Sequence, residues 1–193
     1  MTLERPAALR LIDAAFADRP VVLTLGGTIR EMLSVVGARP NHLYCLDAMG
    51  QPLAIALGLA AGLEGRPRGE RVIVVEGDGS LLMGFSALAT VGHLKPRNLI
   101  AIVLDNGVYL ATGGQPTAAR DVDMVAVARA CGWADARDVE GSEASLRDAL
   151  DWAAQREGPL LLRVPVDTTQ PKTDFFLEDP VVLARTFQNW LRS

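Results

Sequence analysis

What this sequence has little of bounds what it can do. Its two cysteines, Cys45 and Cys131, lie far apart and belong to no metal-spaced cluster. They read as small core residues of a protein kept in a reducing cytoplasm. Basic charge is not in excess: Lys+Arg 19 against Asp+Glu 23 leaves a net −4, so no positive field favours nucleic acid. No stretch reaches the roughly 18–20 apolar residues that span a bilayer. The opening Met1–Pro6 is charged and amphipathic and lacks the apolar core of a secretory signal. A soluble, cytoplasmic protein is expected. No strand is followed by G-x-G-x-x-G, which argues against nicotinamide binding in a Rossmann sheet. Internal repeats and low-complexity segments are also missing.

What is present is an ordinary globular composition. Hydrophobic residues make 49% and charged residues 22% of 193 positions, enough for one domain with a full α/β core. Short apolar, β-branched runs predict strands at Val21–Leu25, His42–Leu46, Arg71–Val75, Leu99–Leu104, Ala134–Val139 and Leu160–Val164. Several are continuously apolar, as parallel strands covered on both faces are. Helices are predicted at Ala7–Ala17, Ile29–Val36, Pro52–Leu63, Phe85–Leu94, Met124–Ala130, Glu143–Gln155 and Pro180–Leu191. In the helix from Glu143, Leu146, Leu150 and Ala153 share one face while Glu143, Arg147 and Asp151 share the other. In the last helix, Phe187, Trp190 and Leu191 have either the core or a partner to pack on.

This alternation implies right-handed crossovers and a doubly wound, mainly parallel six-stranded sheet with helices on both faces. Such sheets bind ligands at the carboxyl ends of their strands. Leu25–Thr28, Asp47–Gly50, Gly77–Ser80 and Asp105–Gly107 all fall there, so four polar or glycine-rich segments face one crevice. Val108–Arg120 reads as a long loop at its edge, and long loops in compact domains tend to be functional.

The chemistry is concentrated in two of these segments. Gly77-Asp78-Gly79-Ser80 follows a strand and precedes a helix. Gly79 and Ser80 can present N–H groups to an anion near the helix start, and Asp78 is placed to hold a cation. The same residues also make an ordinary turn and N-cap. Asn106, at the end of the next strand, offers a carboxamide oxygen. A carboxylate and a carboxamide on neighbouring strand ends suit a hard divalent ion that keeps positions open for phosphate oxygens. Thr28 is a candidate anion contact or a helix N-cap, and Met49 a ligand prop or core filler.

Gly77 to Asn106 spans thirty positions and resembles the signature of thiamine diphosphate (ThDP) enzymes. Asp105-Asn106-Gly107-Val108-Tyr109 with Thr112-Gly113-Gly114-Gln115-Pro116-Thr117 is more specific. With Met49-Gly50 and Ala54–Ala60, it is similar to phosphonopyruvate decarboxylases and to the β subunit of sulfopyruvate decarboxylase, over residues 20–165. Departures lie at Gln51, in Leu25–Arg30 and beyond Val166, where an arginine-rich stretch is missing.

The resemblance implies a ThDP-binding fold in which this whole chain, 1–193, is a single pyrophosphate-binding (PP) domain. Mg²⁺ would be held by Asp78, Asn106 and the Val108 carbonyl, with two diphosphate oxygens and a water completing the octahedron. Gly27, Thr28, Gly77, Gly79, Ser80, Val108 and Tyr109 would contact the cofactor. Asp47-Ala48-Met49 would support its rings, with main-chain groups of Asp47 and Met49 on the aminopyrimidine edge. Tyr109, Gln115 and Thr117 are candidates for cofactor or substrate contact, or ordinary exposed polar residues. The activating glutamate of the family belongs to a pyrimidine-binding (PYR) domain, and no carboxylate here, Glu76 included, has its context. The implied protein is therefore a lyase subunit, a split 2-oxoacid decarboxylase acting on a sulfopyruvate- or phosphonopyruvate-like acid with a PYR-domain α subunit. The alternatives are a carboligase or other ThDP-enzyme subunit, or a catalytically idle ThDP-binding partner. A 2-oxoacid:ferredoxin oxidoreductase subunit would need more cysteines.

Overall fold

The computed structural model describes residues 2–176 and 178–193. Its strands, in chain order, are β1 (Val21–Leu23), β2 (His42–Tyr44), β3 (Val72–Gly77), β4 (Leu99–Asp105), β5 (Val108–Tyr109), β6 (Gln115–Pro116), β7 (Asp135–Asp138) and β8 (Leu160–Pro165). Its helices are α1 (Arg5–Ala15), α2 (Gly27–Val36), α3 (Pro52–Leu63), α4 (Asp78–Met83), α5 (Ala87–Leu94), α6 (Met124–Ala130), α7 (Glu143–Ala154) and α8 (Pro180–Arg192).

β3 and β4 form the centre because their side chains allow burial on both faces. Ile73, Val75, Ile100, Ile102 and Leu104 enter one core cluster, and Val72, Val74, Leu99, Ala101 and Val103 enter the other. That is the two-residue alternation of a pleated strand. Each fully buried aliphatic side chain contributes about 1.5–3 kcal/mol, so this pair is the rigid platform beneath the loops. Six strands pair in the order β2-β1-β3-β4-β8-β7, all in parallel. Ile73 sits between Val21 and Ile100, and Ile100 in turn beside Leu160. Residues of α1, α2 and α7 pack in the first cluster and those of α3, α5 and α6 in the second, giving three layers.

α8 closes the β2 edge. Phe187 is buried, Leu183 packs on the first cluster and Leu191 on the second. Its aromatic residues therefore serve the core. Trp190 stacks on Phe187, and the Arg68 guanidinium lies 4.0 Å from the Trp190 ring centroid. None of the described helices is long and apolar enough to cross a membrane.

Three local expectations need correction. β1 and β2 end at Leu23 and Tyr44, short of Leu25 and Leu46, because the chain beyond β1 turns into α2. A helix, α4, begins at Asp78, ahead of the one expected from Phe85, which itself starts at Ala87. The long loop after Asn106 is not structureless: β5 and β6 pair antiparallel, with Val108 opposite Pro116 and Tyr109 opposite Gln115.

Candidate cofactor site

β1 sends the chain to β2 on one side, while β3 lies on its other side. The crevice opened by that reversal, at the carboxyl ends of β1, β3 and β4, is where a doubly wound sheet binds ligands. One cavity there, about 140 Å³, is lined by Gly27, Thr28, Met49, Gly77, Asp78, Gly79, Ser80, Asn106, Val108 and Tyr109. All ten are residues singled out from the sequence. The volume is below the roughly 300–1,000 Å³ of a complete small-molecule pocket.

Asp78 opens α4, with Gly77 as its N-cap. This places the N–H groups of Gly79 and Ser80 in a first turn, where no intrahelical carbonyl can accept them. The Asp78 carboxylate is buried, and its Oδ2 accepts a 2.5 Å hydrogen bond from Thr117 Oγ1. Burial raises its pKa, and the charge of Asp105 adds to that; hydrogen bonds from Thr117 and from the Asn106 and Gly79 N–H groups oppose it. A buried anion with a second carboxylate nearby is one that a bound cation would stabilise.

The other oxygen donors come from the turn after β4. Asn106 Oδ1 accepts from Val108 N at 3.0 Å, and Asp105 Oδ1 from Gly107 N at 2.9 Å, which fixes the turn. Asp105 Oδ2 is held by Arg163 Nε at 2.7 Å, so this carboxylate stays behind the cavity. Thr117 N donates to the Gly107 carbonyl at 2.9 Å, which makes Val108 and Pro116 a non-hydrogen-bonded pair, so the Val108 carbonyl points away from β6. Asp78, Asn106 and Val108 line the same cavity, and a carboxylate, a carboxamide and a peptide carbonyl are a donor set that suits a hard divalent ion. Among the described residues no group of three or more His, Cys, Asp or Glu could hold a metal, which leaves this mixed oxygen set as the candidate.

The hairpin supplies the lid of this corner. A Cβ on Gly79 would overlap the Tyr109 ring, so only glycine lets that ring lie against α4. The close approach, rather than access to an N–H alone, is what requires glycine here. Ser80 Oγ ties three segments together, accepting from Thr24 Oγ1 at 3.0 Å and from Gly50 N at 3.2 Å. Met49, beside Gly50, is 37% exposed.

Not every residue singled out reaches the cavity. Asp47 is exposed and lines an adjoining recess with Gly26 and Arg30. Ala48, half-buried, lines neither. Gln115 is exposed and turned onto Thr112, donating Nε2 to its carbonyl at 2.8 Å. Thr117 is buried behind Asp78, where it orients that carboxylate and does not face a ligand. Glu76 also stays out: its Oε1 accepts from Leu53 N at 3.1 Å, at the start of α3. Burial pushes its carboxyl up to about 7, and the hydrogen bond from the Leu53 N–H opposes that shift.

Sequence reasoning missed Arg5, Thr24, Ala111 and Gln170, which also line the cavity. Arg5 and Gln170 lie outside every motif. Thr24 sits one residue before the Leu25–Thr28 segment and was hidden by the longer strand expected there.

Comparison with known proteins points to one family. The family described as thiamine pyrophosphate enzyme, C-terminal TPP binding domain, matches residues 32–164. The phosphonopyruvate decarboxylase of Streptomyces viridochromogenes is 39% identical over 166 residues, 84% of this chain and 40% of that protein. The sulfopyruvate decarboxylase subunit beta of Methanothermobacter thermautotrophicus is 37% identical over 166 residues, 86% of this chain and 83% of that one. The chain therefore spans about two fifths of the phosphonopyruvate decarboxylases it matches. Among solved structures, benzoylformate decarboxylase from Polynucleobacter necessarius superposes with a TM-score of 0.73 at 22% identity, over 89% of this chain and 34% of that one. At that identity the likeness concerns the fold.

Proposed function

This chain belongs to the thiamine pyrophosphate enzymes, carrying their C-terminal TPP-binding domain, and on that premise we propose that it is the diphosphate- and Mg²⁺-holding subunit of a split 2-oxoacid decarboxylase. Its substrate is a sulfopyruvate- or phosphonopyruvate-like acid, converted to an aldehyde and CO₂. Relatives named for both activities support this reading. The setting is a reducing cytoplasm, in keeping with two free cysteines.

When bound, ThDP supplies the electron sink that makes loss of CO₂ from a 2-oxo acid feasible. The residues of this chain anchor, orient and shield it. Asp78, Asn106 and the Val108 carbonyl hold Mg²⁺. Thr28 and the first-turn N–H groups of Gly79 and Ser80 take the diphosphate. Tyr109 walls the corner against Gly79, Thr117 fixes the Asp78 carboxylate, and Met49 with the main chain of Asp47 supports the rings. Shielding from water strengthens each of these polar contacts.

One observation carries the split: Asp78 is the only carboxylate among the described residues lining the cavity, and it is committed to the metal. Glu76 is engaged at the start of α3. We infer that the group that activates the cofactor lies outside the described residues and is the family glutamate of a PYR-domain α subunit. Relatives whose names include "subunit beta" support a second chain. The test is turnover of 3-sulfopyruvate and phosphonopyruvate with ThDP and Mg²⁺, by this chain alone and mixed with a candidate α subunit. Aldehyde formation only in the mixture is expected. Substantial turnover by the chain alone overturns the split, and cofactor binding by a mixture inert to both acids indicates a carboligase or idle subunit.

A further inference from the structure

A cation sits beneath the same crevice, and no motif accounts for it. Arg5 is the first residue of α1 and, at 9% exposure, is nine-tenths buried. Its Nε donates to Glu31 Oε2 at 2.7 Å and its Nη2 to Glu31 Oε1, a two-point pairing that fixes the plane of the guanidinium. Nη1 has no hydrogen-bond partner among the described residues. Among the described residues Arg5 is the only lysine or arginine lining the cavity. It also lies directly under the turn that starts α2: a Cβ on Gly27 would come 2.7 Å from Arg5 Nη2. Any side chain at position 27 would displace the guanidinium from the crevice floor.

A structural ion pair does not require this placement. Buried pairs are weak sources of stability, because desolvation offsets their attraction. This one lies where the remaining guanidinium edge can meet a ligand, beside the α2 N–H groups that no side chain caps. The charge balance of the proposed ligand needs such a group. A diphosphate monoester carries about three negative charges near neutral pH and Mg²⁺ cancels two, but Asp78 restores one.

We propose that Arg5, oriented by Glu31 beneath the Gly26–Gly27 turn, is a further anion-binding residue of this site and donates Nη1 to the cofactor diphosphate. This rests on the ThDP reading above and adds a contact from α1, which lies outside the matched residues 32–164. Glu31 acts as a positioning residue that holds the fork without touching the ligand.

Binding of Mg²⁺–ThDP to the full chain with its partner subunit, followed by calorimetry, tests this through two variants. Glu31→Gln keeps Arg5, whereas the double variant Arg5→Gln/Glu31→Gln removes it without leaving a buried, unpaired carboxylate. The double variant is expected to bind about tenfold to a hundredfold more weakly than Glu31→Gln, the loss of one charge-assisted hydrogen bond, and with a shallower salt dependence. Glu31→Gln itself should bind more weakly than wild type, but by less than the double variant, because the guanidinium stays and loses only its orienting carboxylate. Equal affinities in the two variants overturn the proposal. So does equal weakening of both, which is the behaviour of a purely structural pair. If the weakening appears only in the KM for the acid substrate, Arg5 serves the substrate and the diphosphate contact is refuted. Failure of the wild-type assembly to bind Mg²⁺–ThDP would instead sink the underlying reading.

Discussion

The two walls of the crevice differ in how finished they are. On the β3–β4 wall, Asp78 is buried and receives the Thr117 hydroxyl, Asn106 is locked in its own turn, and Tyr109 lies on Gly79. On the β2–α3 wall, Asp47 is exposed and Met49 is 37% exposed, although the backbone beside them is held by Ser80, which accepts from Gly50 N, and by Glu76, which accepts from Leu53 N. One wall is preorganised within this chain, and the other presents surface that awaits a cover. A subunit built in this way is expected to anchor a cofactor by its charged end and to leave the reacting end for a partner to complete.

The largest effect that would break this contrast is at Asp78. Asp78→Ala removes the one charged ligand and should lower Mg²⁺-dependent ThDP affinity about a hundredfold or more, by analogy with uncoupling a buried charge. Calorimetry with and without Mg²⁺ measures it, and near-normal affinity in the variant would mean that the finished wall is not the anchor.

A smaller effect separates Asp78 from the neighbouring carboxylate Glu76. With its folded pKa raised to about 7 from an ordinary 4.5, Glu76 holds its proton in the native state at pH values where the unfolded chain has lost it. Its contribution is therefore most favourable below about pH 4.5 and is lost as pH rises through about 7. Glu76→Gln, which cannot ionise, should be more stable than wild type at pH 8, by on the order of 3 kcal/mol at most. At pH 5 the advantage should be small. Urea unfolding at the two pH values reads this; a variant destabilised equally at both would show that the carboxyl is needed in its ionised form.

How far the sequence revealed these features depends on the range of the interactions behind them. β3 and β4 were legible because burial on both faces demands continuous apolar runs such as Leu99–Leu104. The Gly77–Ser80 and Asn106–Tyr109 segments were legible because local turn chemistry and strand-end position place them. α4 was not: Asp-Gly-Ser reads as a turn, and Gly79 depresses helix propensity within a helix of only six residues. What holds α4 is Leu81 in the core and the Tyr109 ring against Gly79. The β5–β6 hairpin was hidden because Gly113, Gly114 and Pro116 are poor strand residues. Thr117 was found as a candidate contact, but its bond to Asp78 was not, because that contact spans 39 positions. Arg5 was invisible for the same reason, its partner Glu31 lying 26 positions away. Asp47 was singled out for its main-chain groups; that it also lines the neighbouring recess with Gly26 and Arg30 depends on the fold and not on its own segment.

The central claim is that a divalent ion bridges the strand ends of β3 and β4 and carries the cofactor diphosphate. Crystals grown with ThDP and Mn²⁺ in place of Mg²⁺ test it through the anomalous signal of the metal. The account predicts a single strong peak within coordination distance of Asp78, Asn106 and the Val108 carbonyl, with the diphosphate on its open side. A metal peak elsewhere, or a diphosphate seated away from these residues, would contradict it.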